Sequence, residues 1–326
     1  MSVHVTTSFV KQFSANVQLL VQQMGSRLRN SVTLETGKVG EEVFMDRIES
    51  VAAQRVSSRH ADSPLMSTPH DRRKVTPNDF DWGDMIDNPD KLRMLIDPAS
   101  AYSANAAMAM GRAQDETIIS ALVGSAYSDA SDGTSSANTA VALPAAQKVA
   151  INDVTYEVDS GSGNQGLTVG KLIHARKILG ANDADDYDVN GNSNLFIIVN
   201  SAQLSNLLKS TKVNSADFNE IRALVAGDLN HYMGFNIIRT ELIPSINGSH
   251  SSGSFTYDPT AQENSGDPDH CVAFHRRGLG LCIWEDIVAR ISERPDKRFS
   301  QYIYYRMTIG ATRLEEKRVV QISCLQ

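Results

Sequence analysis

The stretch from Asp71 to Gly124, DRRKVTPNDFDWGDMIDNPDKLRMLIDPASAYSANAAMAMGRAQDETIISALVG, constrains this chain most. It passes from a basic knot through an acidic, extended segment into one alanine-rich helical run. Asp97 is placed to cap that helix and Pro98 to open it. Ala101, Tyr102, Ala106, Ala109 and Ala113 lead on to Ile118, Ile119 and Leu122, and Gly124 is a stop signal. The run predicts a spine of about 26 residues, roughly 39 Å long at 1.5 Å per residue. Its small residues Ala104, Ala107 and Gly111 predict close approach to a sheet. No nucleophile, base and orienting partner sit together in the stretch, so it is suited to touching protein surfaces and not substrates.

On both sides of this stretch the apolar content is uneven. In residues 8–28, Phe9, Phe13, Val17, Leu20 and Met24 recur at steps of four, four, three and four, one stripe of a helix. The stripe serves either a neighbouring subunit or its own domain. Residues 41–83 read as a long hairpin, with ascending arm EEVFMDRIESVAAQRV, tip SSRHADSPLMSTPH and descending arm DRRKVTPNDFDWGDM. Apolar residues are too sparse there for an independent core, so the hairpin must lie on something else.

Beyond the spine a Ser/Asp/Gly-rich linker (125–166) carries strand candidates around Val141 and at Val154–Val158. A helix over Thr168–Leu179, capped by Thr168, follows. Next come an Asp/Asn loop, a strand over Leu195–Val199, a helix over Ser201–Ser210 and another over Ala216–Val225. Gly234–Ile243 reads as a strand, and 245–269 as a polar loop. Near the end Phe299, Ile303, Tyr305, Met307 and Ile309 alternate with polar neighbours, as in a long strand with one buried face. Val320, Ile322 and Cys324 repeat the pattern. The total is an α+β chain without internal repeats.

This order of parts resembles the major capsid proteins of tailed bacteriophages. The resemblance rests on Arg72-Arg73-Lys74-Val75, Asp79–Trp82, Asp87–Lys91, AMAMGRAQDETIISAL (Ala107–Leu122), CVAFHRRGLGLCIWE and YIYYRMTIGATRL. It implies an N-arm (1–40), an E-loop hairpin (41–85), and a P-domain (86–166) with its spine helix at 98–123. A mixed α/β A-domain (167–285) and C-terminal strands returning to the P-domain (286–326) complete it. The implied role is a virion capsid subunit, assembled in the host cytoplasm into hexamers and pentamers. These close into an icosahedral shell around packaged double-stranded DNA, which the inner face meets without sequence specificity. A portal and room for a decoration protein also follow. Only about 30 residues precede Ser31, so a separate scaffolding protein is expected. Lys74, near the base of the hairpin, is its one lysine, which speaks against covalent linkage of subunits through the hairpin tip. A nanocompartment shell protein would share this architecture.

Bulk properties agree with a self-associating protein. The chain has 326 residues and a net charge of −7, which does not favour nucleic-acid binding by the whole surface. No apolar run approaches the ~20 residues of a membrane span, and the N-terminus lacks the pattern of a secretory signal. Cys271, Cys282 and Cys324 are odd in number without CxxC spacing, which predicts neither a disulfide framework nor a zinc site and fits a reducing compartment. Charge is nevertheless segregated. Residues 1–74 hold ten Lys/Arg and seven Asp/Glu, a net of +3, whereas 79–97 hold six Asp and two basic residues, a net of −4. Either these are ordinary solvated faces or they are complementary subunit contacts. The inter-subunit candidates are Arg72, Arg73, Lys74, Asp79, Asp81 and Asp84, with Phe9, Phe13 and Val17 from the stripe. Arg72 and Arg73 point to opposite faces of a strand, so both cannot serve one local carboxylate, and at least one is expected to reach a neighbour.

The competing chemistry is an α/β enzyme using Gly161-Ser162-Gly163-Asn164-Gln165-Gly166, a GxGxxG match. Against it, VTYEV alternates unlike a buried parallel strand, Thr168 starts the helix after the glycines, and the second strand ends on Val199-Asn200 without an acidic residue. A flexible turn is the plainer reading. Asp186, Asp188, Asn190, Gly191 and Asn194 resemble the start of a calcium loop, but Ile197 stands where a bidentate Glu belongs. His270, Cys271 and His275 are close in sequence, yet a strand sends His270 and Cys271 to opposite faces. No cofactor, metal or catalytic set is expected.

Overall fold

The computed structural model describes residues 22–56, 58–59, 63, 65–66, 68–87, 99–129, 138–156, 163–186, 193–209, 231–243 and 268–325. The expected stripe at Phe9, Phe13 and Val17, the cap at Asp97, the helix at 216–225 and residues 187–192 of the Asp/Asn loop lie outside them.

In chain order the elements are β1 (Thr33–Thr36), β2 (Val43–Ile48), β3 (His70–Val75), β4 (Asn78–Ile86), α1 (Ala99–Val123), β5 (Ala126–Asp129), β6 (Asn138–Val141) and β7 (Lys148–Val149). Then follow α2 (Val169–Ala181), β8 (Leu195–Val199), α3 (Ser201–Lys209), β9 (His231–Tyr232), β10 (Phe235–Arg239), β11 (Pro268–His275), β12 (Leu279–Arg294), β13 (Ser300–Arg313) and β14 (Val319–Leu325). Three sheets result, ordered β1-β12-β13-β4, β7-β14-β11-β8-β10-β9 and β2-β3-β5-β6. The chain forms two compact units: Met1–Ser26, Asp79–Ala113 and Glu285–Thr308 make the first, and Arg27–Asn78, Gln114–Trp284 and Ile309–Gln326 the second.

In the second unit the main core lies on the six-stranded sheet. Leu195, Ile197 and Val199 of β8, Cys271 and Ala273 of β11, and Val320, Ile322 and Cys324 of β14 share it with Leu172, Ala175 and Leu179 of α2. Large-to-small changes in such a core cost about 2–5 kcal/mol. Thr168 caps α2 by accepting from Lys171 N–H, a bond of the kind that contributes about 1 kcal/mol. The three cysteines are free and buried. Burial pushes the Cys282 thiol up to about 11, and the Cys324 hydrogen bond followed by burial pushes Cys271 up as well, so these thiols are inert packing groups.

Several sequence expectations are corrected here. The descending arm does not continue as one strand. β3 pairs with β2 and β5, whereas β4 joins β13 in another sheet, the break falling at Thr76-Pro77, where Pro77 has no N–H for a ladder. Val154–Tyr156 are not strand. Asp153 accepts from both the N–H and the hydroxyl of Thr155, and this side-chain turn outcompetes pairing. Gly111 does meet a close neighbour in the first unit, but not a sheet. A Cβ there would stand 2.6 Å from the backbone of Gly25. Phe299 stands outside the buried face of β13, with φ of 58°.

Candidate assembly surfaces

The hairpin base pairs β2 and β3 antiparallel from Val43↔Val75 to Ile48↔His70. Directly paired residues share a face, so the register sorts the side chains into two sets. Val43/Val75, Met45/Arg73 and Arg47/Asp71 form one face; Phe44/Lys74, Asp46/Arg72 and Ile48/His70 form the other.

The first face is internal to the second unit. Met45 and Val75 pack with Cys282, Trp284 and Leu314, and a Cβ on Gly280 would lie 2.6 Å from the Met45 sulfur. Beside them is a charged cluster. Arg73 is 1% exposed and donates to Glu316 at 2.8 Å. Arg313, fully buried, sits 3.7 Å from the same carboxylate and donates to the carbonyls of Leu122, Gly124 and Val141 at 3.0, 2.7 and 2.8 Å. Arg47 grips Asp71 and reaches Leu314 O at 2.9 Å. Three guanidinium groups thus share two carboxylates, and Arg73 Nε and Nη1 have no partner among the described residues. Burial lowers the Arg313 pKa, with Glu316 opposing and Arg73 adding to the shift.

Arg73 is thereby engaged within its own chain, by Glu316. Lys74, on the face of Phe44, is 11% exposed and paired with Glu42. Arg72 alone of the three stays on the surface, 42% exposed, 3.6 Å from Asp46 and stacked over the Phe44 ring at 5.5 Å.

Asp71 makes the base sensitive to strong acid. Burial pushes its carboxyl up, but hydrogen bonds from Ser128, Arg47 and the Arg72 N–H outweigh this and hold it below the usual value. A carboxyl depressed on folding stabilises above its unfolded pKa of about 3.9, and that contribution is lost as pH falls through the folded value. The expected result is that protection from hydrogen exchange across 43–48 and 70–75, relative to the intrinsic rate at each pH, is unchanged from pH 7 to 5 and falls below about pH 4. An Asp71→Asn subunit should lose this acid step.

The second face is open. Phe44 is 39% and Ile48 65% exposed. Six of the thirteen exposed large apolar residues among those described lie between 44 and 66, a concentration that marks an interaction surface. In the first unit Asp79, Asp81 and Asp84 are exposed along β4. Thr308 donates to Asp79 at 2.6 Å, while Asp81 and Asp84 have no ion pair among the described residues. Sequence reading missed Arg313, Glu316, Lys171 and the turn at 298–299.

Among the described residues these surfaces bring no nucleophile, base and orienting partner together. The set that comes nearest is Asp153, His174 and Thr155, but the hydroxyl bonds the aspartate and not the imidazole, so no base faces a nucleophile. Among the described residues no group of His, Cys, Asp and Glu could hold a metal. A hairpin with an open apolar face, a spine helix of 25 residues and two strands of 16 and 14 residues define a structural subunit of the shell-forming kind. A family profile described as phage capsid protein matches residues 5–326, and the chain belongs to that family. Solved capsid structures share its fold. That of cyanophage P-SCSP1u has a TM-score of 0.71 at 14% identity, covering 100% of this chain and 96% of the other. Helicobacter pylori bacteriophage KHP30 gives 0.67 at 11%, covering 100% and 98%, and Mycobacterium phage Che8 gives 0.62 at 15%, covering 96% and 97%. No curated protein matches the sequence. The chain is a major capsid protein, and neither the enzyme nor the nanocompartment reading is favoured.

Proposed function

We propose that this capsid protein assembles with itself into hexamers and pentamers that close into an icosahedral shell around double-stranded DNA. The observation that carries the reading is the open hairpin face, whose Phe44, Ile48, Val51, Val56 and Leu65 gain nothing in a lone subunit. Each contact can be weak, because one subunit makes many and closure leaves few unpaired edges. DNA meets the inner surface through basic residues and counterions without base reading. A separate scaffolding protein, a portal and a decoration protein complete the partners, with assembly in the host cytoplasm.

Arg72 is the contact residue at the hairpin base on this reading, opposite acidic groups such as Asp79, Asp81 and Asp84 of a neighbour. Its pairing with Asp46 is exposed, so its loss costs the subunit about 0–1 kcal/mol. Breaking a desolvated charge pair at an interface costs about 2–5 kcal/mol, repeated at every equivalent contact. Purified protein should give polyhedral particles by electron microscopy. Arg72→Glu should give a folded subunit, with unchanged circular dichroism, that assembles poorly. A wild-type chain that stays monomeric at high concentration would overturn the shell reading, and normal shells from Arg72→Glu would remove Arg72 from the interface.

A further inference from the structure

The turn joining β12 to β13 is built in a way that a lone subunit does not need. Pro295–Lys297 make one tight helical turn. Arg298 and Phe299 then both adopt the left-handed conformation, with φ of 53° and 58°. Two successive non-glycine residues there are sterically unfavourable, and a bulky aromatic is unfavourable most of all. The surroundings hold them in place. Phe299 N–H donates to Arg294 O at 3.1 Å. Arg294 makes two bonds to Asp296, at 3.0 and 2.9 Å, and lies over the Tyr302 ring. Ser300 Oγ is 2.6 Å from Asp87 Oδ1.

This scaffold displays Phe299 at 59% and Ile291 at 62% exposure. Arg290, Lys297 and Arg298 stand around them without an ion pair among the described residues. Glycine at 298 or 299 would relieve the backbone, and a polar residue at 299 would relieve the exposed ring. The chain keeps neither, which is the pattern of a surface preorganised for a partner.

The partner needs carboxylates beside an apolar contact, and the first unit itself carries such a surface. β4 is the edge strand of its sheet, and Asp81 and Asp84 project from its two faces, Asp81 on the face of Met85, which is 43% exposed. In its own copy, β4 has Asp87 at Ser300 and Asp79 at Thr308. Asp81 therefore flanks the middle of β13, while Asp84 lies nearer the turn, next to Gly83, where a Cβ would meet Tyr302. We propose that the turn at 290–299 docks on the acidic edge strand β4 of a second copy. Lys297 and Arg298 would meet Asp81 and Asp84, and Phe299 would lie on Met85. The two surfaces differ, so the contact is head-to-tail and generates a ring where the rotation closes. It also covers an exposed sheet edge, which free subunits blunt only with charge.

The proposal rests on the shell reading, and the test separates the two. Full-length chains carrying Lys297→Glu with Arg298→Glu, Asp81→Lys with Asp84→Lys, or all four changes are assembled beside the wild type and quantified by sedimentation. Each double reversal should lower particle yield about tenfold, and the fourfold chain should recover most of it. Phe299→Gly should melt at a higher temperature yet assemble less well. Wild-type particles with normal yield from either double reversal, or no recovery in the fourfold chain, would overturn the docking and leave the shell reading standing. Normal assembly of the β4 reversal in particular would mean that Asp81 and Asp84 only guard an edge. Absence of wild-type particles would overturn the shell reading and the docking with it. Should a reversal unfold the subunit, Lys297→Gln with Arg298→Gln asks the same question, and undiminished assembly would again overturn the docking.

Discussion

Replacing Glu316 by Gln should destabilise the unassembled subunit by about 3–5 kcal/mol, the range for removing one partner of a buried ion pair. That is a large share of the ~5–15 kcal/mol by which a domain is stable. The reason lies in how unequally its partners are provided for. Arg313 keeps three carbonyl acceptors whatever happens to Glu316, and Arg47 keeps Asp71. Arg73 has Glu316 alone, with Nε and Nη1 already without a partner. The neutral amide therefore leaves a fully buried guanidinium uncompensated. Arg73→Met makes the complementary case. It removes the surplus cation together with its orphaned N–H groups, and an apolar side chain of similar length can pack against Met45. Replacing buried ionic groups this way is often neutral or stabilising, so the expected loss is below about 1 kcal/mol. The double substitution should be closer to wild type than Glu316→Gln alone. Denaturant midpoints of the three variants decide this. A greater loss in Arg73→Met than in Glu316→Gln would show that Arg73 contributes net stability despite its unpaired nitrogens.

Elements with their own punctuation were legible in the sequence. Leu195–Val199 is a five-residue apolar run and folds as β8 over those residues. Thr168 announces α2, and the helix at 201 runs to Lys209. Asn200 begins that helix by accepting from Gln203 N–H at 2.8 Å. What could not be read were pairings between distant segments. β1 lies parallel to β12 through Thr33↔Gly280, and no local pattern announces a partner so far along the chain.

The buried charges are hard to read for a different reason: charged side chains are mostly exposed. Position would have been the better guide. Arg313 has the same parity along β13 as Ile303, Tyr305, Met307 and Ile309, all buried. Arg73 has the parity of Val75, and Lys171 stands four residues before Ala175 and eight before Leu179 on one stripe of α2. A charged residue in phase with a core stripe is a candidate for a satisfied internal ion. Read in that way, the alternation that located the strand also locates Arg313.

Lys171→Met should cost about 1–3 kcal/mol, the range for buried acceptors that lose a donor. The side chain is fully buried, and Nζ donates to Ile151 O, Gln165 O and Ser323 O at 2.9, 2.8 and 2.9 Å. An ammonium has three donors, and each goes to a different segment: the turn after β7, the glycine-rich turn and β14. Methionine fills most of the volume but takes one donor from each of three carbonyls, of which Ile151 O keeps Gln165 N–H and Gln165 O keeps Leu325 N–H. Arginine keeps the charge, but its planar fork does not match acceptors spread around a point, so Lys171→Arg should also lose stability. Hydrogen exchange should accelerate together at 151–156, 163–166 and 319–325 in either variant, beside an unchanged rate at 43–48. A loss under about 1 kcal/mol for Lys171→Met would mean that water replaces the ammonium. The arrangement also gives the described part of the glycine-rich turn a structural role. A phosphate loop turns its N–H groups toward an anion. Here, among the described residues of the turn, the Gln165 carbonyl faces a cation of the same chain, and Gln165 N–H is bonded to Ile151 O at 3.1 Å. Gly166 admits no side chain, because a Cβ would lie 2.4 Å from the Asn206 amide. The turn is a joint closed by Lys171, which ties β14 to α2.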